Sequence, residues 1–251
     1  MNYAQPLNHT RNSTTVIPLH NAGGIGKTTL MIAAIEACFH HGVKPAISTG
    51  DANHNELSRL YKATSFDVRI DGTAFINALS APEKINFIDT PAAFVDIFND
   101  IFGNIDTVLT ACEIANTMPA FLIPVATLDK CIKTINRVGS LFNEVTGDYR
   151  IIYALNEGLM TDKNTLIADF QANDEVQREI ASGRATVIRN TTKFTPPFSQ
   201  TVKTQKLRPI TTGNGNLMEK VLALDFLNKT DEQFAKVLGL PPVPVPIPVK
   251  K

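Results

Sequence analysis

The chain has 251 residues, of which 43% are hydrophobic, enough for one sizeable α/β core and cramped for two full domains. Its 24 basic and 24 acidic residues cancel, so the molecule as a whole has no electrostatic reason to coat nucleic acid or an anionic membrane. No stretch reaches the roughly 18 apolar residues of a membrane span, and Cys38, Cys112 and Cys131 lack the spacing of metal ligands, which together predict a soluble, cytoplasmic protein with buried thiols.

In chain order, a polar, flexible leader over residues 1–14 precedes a domain over 15–238, which a proline-rich tail over 239–251 follows. Short β-rich apolar runs predict strands at 15–19, 43–48, 85–88, 120–125, 150–155 and 185–189. Pro18 removes a ladder donor from the first of them and predicts a short or irregular strand. Helical spacing of apolar residues appears at 28–41, 129–142 and 164–170, with one or two closing helices over 217–238. The segment 92–119 is apolar and reads as helical. This alternation is the sequence form of a three-layer α/β sandwich, a mostly parallel sheet flanked by helices. Prolines at 241, 242, 244, 246 and 248 forbid helix and favour an extended tail.

The stretch Asn21-Ala-Gly-Gly-Ile-Gly-Lys-Thr-Thr29 joins the first strand to the first helix. Gly23, Gly24 and Gly26 let the backbone wrap a phosphate with its N–H groups pointing inward. Lys27 reaches the β- and γ-phosphates, Thr28 offers a hydroxyl to Mg²⁺, and the helix N-terminus adds attraction for an anion. The predicted nucleotide-binding set is therefore Asn21, Ala22, Gly23, Gly24, Ile25, Gly26, Lys27, Thr28 and Thr29.

This loop resembles the deviant phosphate loop of the ParA/MinD family of P-loop ATPases. Asp51-Ala-Asn-His-Asn55 resembles that family's Asp-Pro-Gln-Gly-Asn switch, and Ile85-Asn-Phe-Ile-Asp89-Thr-Pro91 its Ile-Asp-Thr-Pro segment. The resemblance implies ATP and Mg²⁺ as ligands, with Lys27 and Asp51 in hydrolysis. It implies a metal site of Thr28, Asp51 and, through water, Asp89. Asn156, ending a strand before Glu157-Gly158, resembles the asparagine that hydrogen-bonds the base, and no Asn-Lys-x-Asp element for guanine is visible. Asp51-x-Asn-x-Asn55 with Leu155-Asn-Glu-x-Leu159 is most similar to the TraL and StbB proteins of conjugative plasmids, which implies a nucleotide switch in plasmid partition, plasmid stability or conjugative DNA transfer, engaging a protein partner of that machinery.

Ala22 departs from the family pattern. Typical members carry lysine there, reaching across a nucleotide-sandwich dimer to the partner's phosphate. Its loss removes a contact that both the nucleotide-dependent homodimer and the usual hydrolysis use, which predicts weak ATPase activity. A non-hydrolysing scaffold that recruits a protein partner is the first alternative, and a dethiobiotin-synthetase-like metabolic enzyme of the same fold is the second. The proline tract cannot form the C-terminal amphipathic helix of MinD-like proteins, so membrane binding is not expected. DNA binding would fall to Arg184, Arg189, Lys193, Lys203, Lys206 and Arg208, and the net charge does not indicate it. His40-His41 reads as a cap at the end of the first helix and not as a metal site. Phe94, Phe98 and Phe102 read as core.

Overall fold

A computed structural model describes residues 4–7, 9–20, 24, 26–51, 56–143, 145–213 and 216–244, without the side chains of residues 97 and 128–131. Seven strands form one sheet in the order β3-β2-β4-β1-β5-β6-β7, every pair of them parallel. They are β1 (Ser13–Pro18), β2 (Ala46–Thr49), β3 (Thr64–Ser65), β4 (Ile85–Asp89), β5 (Thr117–Val125), β6 (Arg150–Asn156) and β7 (Ala185–Asn190). An all-parallel sheet must be covered on both faces, and the residues alternate accordingly. Ala120 and Leu122 of β5 with Ile152 and Ala154 of β6 join one apolar cluster. Phe121, Ile123 and Val125 with Ile151, Tyr153 and Leu155 join the other.

The first cluster is closed by α1 (Lys27–His40), α2 (Glu56–Tyr61), α9 (Pro196–Thr204), α10 (Leu207–Thr212) and α11 (Leu217–Val237). Helix α1 is buried at every position from Thr29 to Cys38, because it lies between the sheet and α11. A helix apolar all round is stable only in such a place. Helix α11 is one continuous element, opened by a capping box in which Asn216 accepts from the Glu219 N–H and Glu219 accepts from the Asn216 N–H.

The second face is covered by α3 (Gly72–Leu79), α4 (Phe94–Phe102), α5 (Ile105–Ile114), α6 (Leu128–Leu141), α7 (Lys163–Ala172) and α8 (Asp174–Ala181). Phe94, Phe98 and Phe102 stand in this core against Phe75, with ring centroids 5.1 to 5.7 Å apart. Offset and edge-on contacts of this kind add to the stabilisation from burial.

Three expectations need correction. Residues 117–119 are not helical: β5 starts at Thr117 and carries Pro119 and Pro124 inside the sheet, since pairing with β1 and β6 outweighs two missing ladder donors. Strand β1 is regular from Ser13 to Pro18, because Pro18 is its last residue and its missing N–H falls where the strand ends. The leader is tied down where it is described. Ala4 N–H donates to Val187 O at 2.7 Å and Leu7 N–H to Val237 O at 3.0 Å, and both side chains are buried.

Candidate nucleotide site

In a parallel sheet the ligand edge is the carboxyl end of the strands, where the chain leaves neighbouring strands in opposite directions. Here β1 is followed by a crossover toward β2 on one side, while its other neighbour β5 leads on to β6. The segments after β1, β2 and β4 meet at that edge. They line one cleft with Gly24, Gly26, Lys27, Thr28, Thr29, Asp51, Asp89 and Thr90, joined by Glu56, Ala92 and Lys203.

Gly24 and Gly26 have φ of +77° and +87°, a left-handed conformation that side chains resist. At Gly26 a Cβ would also lie 2.4 Å from Asn156 Nδ2, so two independent constraints select glycine. Gly26 closes the N-terminus of α1 without a side-chain cap. The first turn of α1 thus directs N–H groups into the cleft, where the helix dipole favours an anion.

The Thr28 hydroxyl donates to Asp89 Oδ2 at 3.2 Å, and the Thr90 N–H donates to Oδ1 at 3.0 Å. The Thr90 hydroxyl in turn donates to Pro18 O at 2.6 Å, locking the end of β4 to the end of β1. Burial pushes the Asp89 carboxyl up to about 6, against Lys27, the Thr90 N–H and the Thr28 hydroxyl, which favour its ionised form. Burial also pulls the Lys27 ammonium below the ordinary lysine value, opposed by Asp89, Asp51 and Glu56. Asp51 is buried at the end of β2, with Arg69 Nη2 4.0 Å from its Oδ1.

The donor set suits Mg²⁺. Thr28, Asp51 and Asp89 offer only oxygen, and Glu56 Oε2 is buried beside them without a hydrogen-bond partner among the described residues. Hard oxygen donors around a positive loop fit a small divalent cation bridging protein and phosphate.

Asn21, Ala22, Gly23, Ile25 and residues 52–55 lie outside the described residues. Asn156 is fully buried and lies beneath the loop, where it accepts from Asn190 Nδ2 at 2.7 Å through Oδ1. Placed so, its Nδ2 stands against the Gly26 position, where a Cβ would meet it at 2.4 Å. Sequence reasoning missed Glu56 and Lys203 at the cleft. Glu56 follows the Asp51 switch closely enough to have been suspected, whereas Lys203 arrives from α9 with no local signal. The basic residues proposed for DNA are largely committed elsewhere: Arg184 pairs with Glu179, Arg189 with Glu157 and Arg208 with Asp231, and Lys206 lies 5.3 Å from the Tyr61 ring centroid.

Glu157, next to Asn156, is held by Arg189 and Lys163. Burial raises its pKa, but the two cations outweigh that and hold the carboxyl below the ordinary value of 4.5. A depressed carboxylate stabilises the fold above its unfolded pKa, and that contribution is lost as pH falls through the folded value. Glu157→Gln is therefore expected to lower the urea midpoint at neutral pH. It should also lose less stability than the parent between about pH 6 and pH 3, measured by urea unfolding across that range.

No protein-family model matches the sequence, and no curated protein matches it. Solved structures do. The chain is similar to the MinD cell division protein of Aquifex aeolicus, at 16% identity over 95% of this chain and 100% of that one, with a TM-score of 0.50. It is similar to McdA of Cyanothece in an ATP complex, at 14% identity over 94% and 100%, with a TM-score of 0.51. A third likeness is to the signal recognition particle receptor FtsY of Elizabethkingia anophelis in complex with GDP, at 11% identity over 75% and 60%, with a TM-score of 0.50. At these identities the likeness establishes the fold alone: an all-parallel sheet covered by helices on both faces. Among the described residues no helix is long and apolar enough to cross a membrane.

Proposed function

We propose that this chain is a ParA/MinD-like nucleotide-switch ATPase that binds Mg-ATP in the cleft after β1 and acts with a protein partner in plasmid partition, plasmid stability or conjugative transfer. One observation carries the nucleotide reading: three separate segments bring Lys27, Thr28, Asp51 and Asp89 to a single cleft at the carboxyl edge of the sheet. The plasmid role rests on the motif resemblance at Asp51–Asn55 and Leu155–Leu159.

In this reading Mg²⁺ supplies neutralisation of charge on the β- and γ-phosphate oxygens. The chain's own residues do the positioning. Lys27 places a half-buried ammonium beside the terminal phosphates, and the amides of the first turn of α1 hold the bridging oxygens. Thr28 would hold the ion through its hydroxyl oxygen, and Asp89, bonded to that hydroxyl, would orient Thr28 and the water beside it. Asp51 holds the attacking water and accepts its proton. Lys203 lines the same cleft from within the chain and stands in for the charge that Ala22 omits.

Single-turnover hydrolysis tests this. Asp51→Ala is expected to slow phosphate release about 100-fold or more with little change in ATP affinity, in the range of losses seen when a water-orienting or charge-stabilising group is removed. The second reading, a scaffold that binds ATP without turnover, is favoured by Ala22. Tight ATP binding with no hydrolysis by the parent chain would decide for it.

A further inference from the structure

Away from the nucleotide cleft, at the opposite end of α1, two histidines converge on one carboxylate. His40 Nδ1 lies 2.9 Å from Asp231 Oδ2, and His41 Nε2 lies 3.2 Å from the same oxygen. All three candidate ligand atoms fall within 4.8 Å of one another. We infer that this cluster is a transition-metal site, binding a zinc ion or a chemically similar metal through His40 Nδ1, His41 Nε2 and Asp231 Oδ2.

The geometry around the three atoms is that of a prepared site. In a tetrahedral zinc centre with bonds of about 2.0–2.2 Å, neighbouring ligand atoms stand roughly 3.3 Å apart, close to the 2.9 and 3.2 Å that separate the two histidine nitrogens from Asp231 Oδ2. His41 Nδ1 lies 2.5 Å from Pro241 O. A carbonyl only accepts, so Nδ1 carries the proton, and in the neutral ring the Nε2 lone pair faces the carboxylate. Two lone pairs facing each other are repulsive unless a proton or a cation lies between them. A ligating histidine whose other nitrogen donates to a backbone carbonyl is the usual support for a metal.

Asp231 is held from behind. Its Oδ1 accepts from Arg208 Nη2 at 2.5 Å, leaving Oδ2 as a monodentate ligand, and Arg208 Nε also donates to Glu36 O at 3.3 Å. Arg208 is a cation beside the proposed cation, and the surrounding anions offset it. Glu36 Oε2 stands 3.9 Å from Arg208, Glu232 lines the neighbouring depression with Asp231, and the carboxyl end of α1 contributes its negative dipole. The side chains of His40, His41 and Asp231 retain 37%, 10% and 16% of their surface, which leaves an approach for the ion and room for water as a fourth ligand. Two imidazoles and one carboxylate suit zinc and its neighbours better than Mg²⁺. The sequence pointed only to a helix cap because Asp231 is remote from the histidine pair.

The test uses full-length, tag-free protein stripped with chelator and titrated with zinc chloride by calorimetry, without nucleotide, so that its outcome is independent of the cleft after β1. One zinc per chain is the expected result, with an X-ray absorption edge showing a nitrogen and oxygen shell. His40→Gln, His41→Gln and Asp231→Asn are each expected to weaken binding at least about tenfold. His40 is half-exposed, so its variant keeps the fold even where Asp231→Asn releases Arg208. No zinc uptake by the parent, or unchanged affinity in either histidine variant, overturns the assignment.

Discussion

Lys27→Ala is expected to weaken Mg-ATP binding by about 100-fold or more, the loss that follows when the cation opposite a partly buried anion is removed. The reason lies in what surrounds the ammonium. Lys27 faces Asp89, Asp51 and Glu56, so without it the cleft keeps three carboxyl groups and would meet a polyphosphate with like charge. Lys27→Arg keeps the charge but replaces a compact ammonium with a planar fork, and is expected to recover only part of the affinity. Equilibrium titration with a fluorescent ATP analogue, with and without Mg²⁺, reads both effects, and circular dichroism checks that α1 is intact. Equal affinities for Lys27→Ala and the parent would remove the basis for placing phosphates in this cleft.

Gly158→Ala is expected to cost about 3 kcal/mol or more of stability. A Cβ on Gly158 would stand 1.6 Å from Thr192 O, 2.6 Å from Thr192 C and 3.3 Å from Lys193 Cα. These are backbone atoms, so no rotamer change relieves the overlap. The opposing segment is itself fastened: Thr192 N–H donates to Asn190 Oδ1 at 3.1 Å, and its hydroxyl donates to Asp225 Oδ2 at 2.7 Å. One of the two chains must move, and the neighbouring Asn156, which lies against Gly26, would move with it. For a chain of this size the melting temperature should fall by roughly 6–12 °C, and ATP affinity should fall as well. Calorimetry showing a melting temperature within a degree of the parent would mean that the close approach does not exist in solution.

What the sequence disclosed was mostly what is local in the chain. Three glycines, a lysine and two threonines within nine residues carry their own geometry, and so do Asp51 and Asp89, each at or just beyond the end of an apolar strand. The alternation of strand and helix patterns was enough for a three-layer parallel architecture. Most of the misses share a cause, since they depend on a partner distant in the chain. The bond from Asn190 to Asn156 joins residues 34 positions apart and leaves no local signal. Lys203 is one basic residue among several until α9 carries it to the cleft. The leader is polar by composition, yet Ala4 and Leu7 find places against β7 and α11. Pro119 fell in a segment that reads as helical, and only the pairing of β5 with β1 shows that it belongs to a strand. Strand β3, two residues long, is too short to leave a periodic signal.

The enclosure of α1 also bears on how the chain is made. Its wrapping helix α11 follows it by about 180 residues, so a ribosome emitting the protein releases this buried helix long before its cover exists. During that interval the growing polypeptide exposes a surface suited to chaperones or to aggregation, and its native contacts close over long sequence separations, which slows folding. Truncation within α11 should therefore yield insoluble material more than a smaller folded protein.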